Sequence, residues 1–364
     1  MFPKILKPSL DWLLIFAPIA LVLRFWPGAH NDIALFVCSG LAIIPLAGLM
    51  GKATEALSAR VGQGLGGLLN ATFGNAAELI IALLALHKGL LGVVKASITG
   101  SILGNLLLVF GVSALAGGMK FSHQRFNRTA IQSSTTSLLL AAIALLIPTV
   151  FHFAAAAHPG GWSPVLEQRL SLGIALVLLG TYFCVLVFSL RTHRDLFSGG
   201  EHSHEESAGP DWSNTKALSV LLGATAGVAL LSEFLVSTVE AAQSRLGVSE
   251  VFIGVIVVAI IGNAAEHSTA VWVARKNKMD LSLGIAIGSS LQVALFVAPL
   301  LVVVSYAFGH PMNLEFSIPE VVAVLAAVIL AGEIVNDGET NWLEGVQLLS
   351  VYVILAILFY FLPG

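Results

Sequence analysis

The chain has 364 residues, 57% of them hydrophobic and only 11% charged, with a formal net charge of −3. Soluble domains carry about 25% charged residues, so a soluble globular domain is excluded, and no basic patch is present to hold nucleic acid. The composition is that of an all-α integral membrane protein, because helices satisfy their own backbone polar groups inside a bilayer.

A helix needs about 20 apolar residues to cross. About eleven such runs occur, near 10–27, 32–50, 64–87, 92–118, 129–153, 168–190, 216–239, 248–274, 281–308, 317–335 and 343–362. No small-residue cleavage site follows the first run, so it is expected to stay as a helix and not to be removed as a signal peptide. Cys38 and Cys184 fall inside apolar runs and read as small buried hydrophobes, not as a disulfide or metal pair. The chain divides into a leading helix (1–31), a five-helix unit (32–190), a mixed-charge linker (191–215) and a second five-helix unit (216–364). Five is odd, so the second unit enters from the opposite side. That is the inverted-repeat arrangement of many secondary transporters. Thirteen Lys and Arg fall on the side of the N-terminus and five on the other, which puts the N-terminus in the cytoplasm. The linker mixes Asp195, Glu201, Glu205, Glu206 and Asp211 with His193, His202 and His204. It reads as a solvated tether, with a cation-sensing segment as the alternative.

The third run holds Gly74-Asn75-Ala76-Ala77-Glu78, and the eighth repeats it 188 positions later as Gly262-Asn263-Ala264-Ala265-Glu266. A carboxylate within a membrane helix is costly and marks function by default. The flanks also repeat. Gly100-Ser101 and Gly288-Ser289 each follow their glutamate by 22 residues, and Glu55-Ala56 and Glu240-Ala241 precede Arg60 and Arg245 at equal spacing. One Gly-Asn pair could serve helix packing alone, but matched flanks indicate one site built from two duplicated halves.

Asn75 and Glu78 lie at i and i+3 and share a helix face, as do Asn263 and Glu266. The preceding glycine permits close helix contact or a local break that frees backbone carbonyls. Ser97, Ser101 and Asn105 fall at i, i+4 and i+8, and Ser289, Ser290 and Gln292 form the corresponding cluster. Serines of this kind also serve merely to bond their own backbone. All these groups offer oxygen, which suits a hard cation such as Ca²⁺ with 6–8 oxygen ligands. His267 follows Glu266 but points to another face, so it reads as a supporting or packing residue. Two carboxylates in a low dielectric cannot comfortably keep both charges. Ca²⁺ neutralises the pair and so do two protons, which makes Ca²⁺/H⁺ exchange through one site chemically natural. Glu233 and Glu240, seven apart in the seventh run, and Glu55 are candidates for a pathway or acidic vestibule, with solvated helix ends as the alternative for Glu55 and Glu240. Asn341 is expected to cap the last helix.

The two Gly-Asn-Ala-Ala-Glu segments, Gly-Ser-Ile-Leu-Gly-Asn at 100–105, Gly-Ser-Ser-Leu-Gln at 288–292 and the stretch Asp337–Gly345 resemble the signatures of cation/proton exchangers of the CAX type, in the calcium/cation antiporter superfamily. The resemblance covers nearly the whole chain. It implies a Ca²⁺/H⁺ antiporter and not an enzyme, with Glu78 and Glu266 as the central metal-binding carboxylates. Asn75, Asn263, Ser101, Ser289 and Gln292 complete the cation/proton site, and Asn105 joins the pathway residues. No cofactor is expected. Ca²⁺ and H⁺ are the substrates, the bilayer is the surroundings, and a homo-oligomer stays open. The lack of a long N-terminal extension fits a prokaryotic plasma membrane. A Na⁺-coupled exchanger is the alternative, although a proline would be expected near each glutamate. A passive channel and an intramembrane metalloenzyme fit less well, since the chain is duplicated and has no His-Glu-x-x-His segment.

Overall fold

The computed structural model describes residues 10–26, 28–61, 63–158, 160–197 and 212–362. Most of the linker, with Glu201, Glu205, Glu206, His202, His204 and Asp211, lies outside the described residues. The helices are α1 (Phe16–Phe25), entered through a 3-10 turn at Leu10–Ile15, α2 (Asp32–Ser58), α3 (Gln63–Phe73), α4 (Ala76–His87), α5 (Leu91–Gly118), α6 (Arg128–Ala156) and α7 (Pro164–Thr192). They continue with α8 (Asn214–Ser237), α9 (Val239–Leu246), α10 (Glu250–Ala274), α11 (Met279–Ser305), α12 (Ile318–Ile334) and α13 (Trp342–Phe361). Among the described residues, eight helices are long and apolar enough to cross a membrane: α2, α5, α6, α7, α8, α10, α11 and α13.

The other apolar runs form shorter helices. The run near 64–87 divides into α3 and α4 at Gly74-Asn75, where Asn75 has φ −101° and ψ 27°. The matching place in the second half stays helical, and α10 runs straight through Gly262-Asn263. The two asparagines also bond differently. Asn263 Nδ2 donates back to its own helix at Ala259 O (2.9 Å), whereas Asn75 Nδ2 donates across to Gln292 Oε1. The run near 216–239 also departs from expectation. It stops at Thr238, whose hydroxyl donates to the Phe234 and Leu235 carbonyls at 2.9 and 3.0 Å. The backbone of Thr238 leaves helical geometry (φ −110°, ψ 2°), so Glu233 and Glu240 fall on separate helices, α8 and α9, and share no face.

Helix ends follow local chemistry. Asn127 caps α6, and Ser163 caps α7 with Pro164 at its first position. Asn341 caps α13 as expected, accepting from Leu343 and Glu344 N–H groups at 3.0 and 3.2 Å while Glu344 accepts from Asn341 N–H.

Close packing depends on small residues where helices cross. A Cβ on Gly100 of α5 would stand 2.2 Å from the Val255 carbonyl of α10, and one on Gly254 would stand 2.4 Å from Ala96 Cβ. Glycine therefore lets these two backbones touch, the usual device for helix association in a bilayer. α2 lies along α8, and the second part of α5 lies along α13.

Segments far apart in sequence meet at two ends of the bundle. At the end near the start of the chain, Gln124 Nε2 donates to Ala274 O (2.8 Å), and β1 (Gln124–Arg125) pairs antiparallel with β2 (Glu339–Thr340). At the far end, Tyr306 OH donates to Gln168 O (3.3 Å), and Ser249 Oγ to Phe359 O (3.3 Å).

Candidate functional site

The two halves of the site interlock. Ser289 Oγ of α11 donates to Asn75 Oδ1 at 2.8 Å, and Asn263 Nδ2 of α10 donates to Ser101 Oγ of α5 at 3.1 Å. Each motif asparagine thus bonds the serine that follows the other half's glutamate. Asn75, Asn263, Ser101 and Ser289 are all buried. Gln292 accepts from Asn75 Nδ2.

The glutamates are crossed in the same way. A Cβ on Gly262 would lie 2.9 Å from Glu78 Cγ, and a Cβ on Gly74 would lie 3.8 Å from Glu266 Oε1. Each carboxylate therefore rests against the motif glycine of the other half. Glu78 Oε1 and Glu266 Oε2 are buried and have no hydrogen-bond partner within the protein. Buried acceptors are normally paired, and an unpaired carboxylate oxygen at this depth costs more than a neutral one. Buried carboxylate oxygens of this kind, in a region rich in amide and hydroxyl oxygens, are suited to a hard cation or to protons. Among the described residues no three His, Cys, Asp or Glu side chains converge as a metal cluster, so a cation here draws on amides and hydroxyls as well.

A cavity of about 460 Å³ reaches this site from the end of the bundle that holds Leu10 and Asp11. Asp11, Lys52 and Glu55 line it towards the surface, and Gly74, Glu266, Ser289 and Gln292 line it at depth. Its size lies within the usual range for small-ligand sites. Glu78 is not among its walls; it lies behind Gly262.

The remaining candidates fall in different places. Glu55 stands in the cavity, where a vestibule carboxylate would be. Asn105, expected along the pathway, is 1% exposed within the polar cluster. Its Nδ2 lies 3.0 Å from Ser289 Oγ and 3.5 Å from Asn263 Oδ1. Glu233 pairs with Lys88 at 2.7 Å near the far end, half-exposed, and Glu240 is exposed on α9; neither lines the cavity. Two features escaped the sequence reading. The seats of the glutamates at Gly262 and Gly74 are formed across the two halves, and only the repetition of the glycines hinted at them. A buried polar group at the far end was also unforeseen. There Lys95 Nζ contacts Asn313 and the Glu315 carbonyl, and Glu167, 2% exposed, receives bonds from Trp162 Nε1 (2.7 Å) and Asn313 Nδ2.

The sodium/calcium exchanger protein family model matches residues 31–191 and 216–361. The chain is 46% identical over 365 residues to a Ca(2+)/H(+) antiporter of Synechocystis sp., with 96% of each chain covered. It is 48% identical over 342 residues to the Ca(2+)/H(+) antiporter ChaA of Bacillus subtilis, covering 93% of this chain and 94% of that one. Its structure is similar to that of native YfkE, with a TM-score of 0.83 at 42% identity over 97% of this chain and all of that one. The H+/Ca2+ exchanger CAX shares the fold, with a TM-score of 0.73 at 14% identity over 96% of this chain and 91% of that one. This integral membrane chain belongs to the sodium/calcium exchanger protein family.

Proposed function

We infer that this chain is a secondary antiporter that exchanges Ca²⁺ for H⁺ across a membrane. The relatives named above as Ca²⁺/H⁺ antiporters match it over nearly their whole length. The observation that carries the site is the pair of buried, unpartnered oxygens on Glu78 and Glu266, each seated on the other half's glycine. Ca²⁺ binds between these carboxylates with help from Asn75, Asn263, Ser101, Ser289 and Gln292. Protons occupy the same carboxylates when Ca²⁺ leaves. Because both ions neutralise one site, occupancy by one excludes the other, and alternating access converts that competition into exchange.

The chain spans the membrane as a leading helix and two inverted five-helix repeats, a reading supported by the two separate family matches and by the crossed Asn–Ser pairs. The N-terminus is cytoplasmic by the Lys and Arg distribution. In that orientation the cavity opens to the cytoplasm, where Glu55 gathers cations. The membrane is a prokaryotic plasma membrane, in keeping with the bacterial relatives.

The test is Ca²⁺ uptake into inverted vesicles with an acidified lumen, against an imposed Na⁺ gradient. Uptake driven by the pH gradient and abolished in both Glu78→Gln and Glu266→Gln is expected. Uptake driven by Na⁺ alone overturns the proton coupling, and wild-type uptake by either Gln variant overturns the paired site.

A further inference from the structure

The polar cluster around Asn105 has a direction, and His267 is its first donor. Asn263 Nδ2 donates to Ala259 O at 2.9 Å, and a backbone carbonyl can only accept. That bond fixes the Asn263 amide, so its Oδ1 faces Asn105, 3.5 Å from Asn105 Nδ2. Asn105 is thereby oriented with its nitrogen towards Asn263 and Ser289 and its oxygen towards His267. His267 Nε2 lies 3.2 Å from that oxygen, so it must carry the hydrogen. From there the donors run one way. His267 donates to Asn105, Asn105 to Ser289, Ser289 to Asn75 and Asn75 to Gln292.

The chain of bonds has no counterpart in the other half. Positions offset by 188 hold Leu79 in place of His267, Val293 in place of Asn105 and Gly104 in place of Gln292. Gly104 lies beside the imidazole, where a Cβ would stand in ordinary contact with His267 Cε1 at 3.9 Å. His267 is not among the walls of the cavity, and its Nε2 is already committed to Asn105.

We propose that His267 is a positioning residue: by donating from Nε2 it holds the Asn105 amide in one orientation, and so orients Ser289 and Asn75 for the cation. The proposal rests on the exchange reading for the identity of the cation. Without the imidazole donor the buried Asn105 oxygen loses its partner. The amide is then held only from its nitrogen side, by Ser289 and the long 3.5 Å contact to Asn263 Oδ1, and can shift off Ser289. Groups that orient metal ligands typically cost 10–100-fold in affinity when removed.

The experiment uses the full chain with three single changes and one double change. His267→Leu installs the residue of the other half, Asn105→Val does the same, and His267→Gln keeps a donor near the Nε2 position. Ca²⁺ binding is measured by calorimetry on purified protein in detergent, and exchange is measured in vesicles over a range of pH. Elution as a monodisperse peak checks folding. We expect His267→Leu to weaken Ca²⁺ binding about tenfold or more and to raise KM with little change in kcat. His267→Gln is expected to restore binding and to keep the wild-type pH profile. His267→Leu combined with Asn105→Val is expected to be no worse than Asn105→Val alone. Wild-type affinity in His267→Leu, additive losses in the double variant, or a displaced pH profile in His267→Gln would each overturn the positioning role. A wild-type protein that binds Ca²⁺ but does not exchange it for protons overturns the exchange reading and leaves this test readable by calorimetry. A wild-type protein that binds no Ca²⁺ overturns both.

Discussion

Glu78 of α4 lies against Gly262 of α10 so closely that a methyl group at position 262 would stand 2.9 Å from Glu78 Cγ. The glycine is the floor on which this carboxylate rests. Gly262→Ala should therefore displace Glu78 rather than unfold the protein, since the obstructed atom belongs to a side chain. We expect a loss of Ca²⁺ affinity of about tenfold or more, the scale of disturbing a ligand's support, with a melting temperature near that of the wild type. Unchanged affinity in purified Gly262→Ala would refute the close seat.

Acidification should weaken Ca²⁺ binding. On the proposed reading protons fill the same two carboxylates, so Ca²⁺ must displace them. Where both are protonated, release of two protons per ion changes apparent Kd by about a hundredfold per pH unit, and release of one by about tenfold. Glu78→Gln removes one exchangeable proton and should flatten any residual slope. Calorimetric titrations from pH 6 to pH 8 read this directly, and an affinity independent of pH would exclude shared occupancy.

Two glycines in membrane-length helices should behave in opposite ways. Gly100 faces the Val255 backbone, which cannot step aside, so Gly100→Val should separate α5 from α10 and lower stability by about 1–3 kcal/mol or more. A Cβ on Gly180 of α7 meets nothing within 4 Å. Gly180→Ala should raise stability by up to about 1 kcal/mol through helix propensity. Thermal unfolding in detergent separates the two cases, and equal effects would contradict the packing described.

Lys95 holds the far end together, with its ammonium placed between Asn313 and Glu315. Lys95→Met leaves these acceptors and Glu315 without their cation. A loss on the order of 2 kcal/mol is expected, below the full cost of breaking a buried pair because Lys95 keeps some contact with solvent. A melting temperature unchanged from the wild type would count against this role.

Much of the helical framework was legible because apolar length is a strong signal, and the Asn341 cap because its geometry is local. The pairing of Asn75 with Ser289 and of Asn263 with Ser101 was not legible. It joins residues 214 and 162 positions apart, and no spacing along one helix reveals which helix lies opposite. The repeated glycines and serines showed that the halves correspond, but not that they cross. Local rules left a break or a close contact open at each motif glycine, without telling that only the first half breaks, and they missed the stop at Thr238. Glu233 read as a pathway candidate, yet the end of α4 brings Lys88 to it.

Orientation is open to a direct check. Single cysteines at Lys120 and His310, in a chain with Cys38 and Cys184 replaced by Ser, lie at opposite ends of the bundle. With a cytoplasmic N-terminus, an impermeant thiol reagent applied to intact cells should label position 310 and spare position 120. The reverse pattern would turn the cavity to the outside.

Two π-helical segments interrupt the helices that carry the serines, Gly104–Val109 in α5 and Val293–Val297 in α11. A π turn holds one residue more than α-helical phase allows. Removing that residue would leave a regular helix with every backbone bond made. It would also turn the part bearing Ser101 by about 100° against the part beyond, where Gly111 and Gly118 touch α13. Site and packing face could then no longer both be met. The length of α5 and α11 is thus fixed to the single residue near the membrane centre, and a one-residue deletion there should be far more damaging than the same deletion in the connection between α6 and α7.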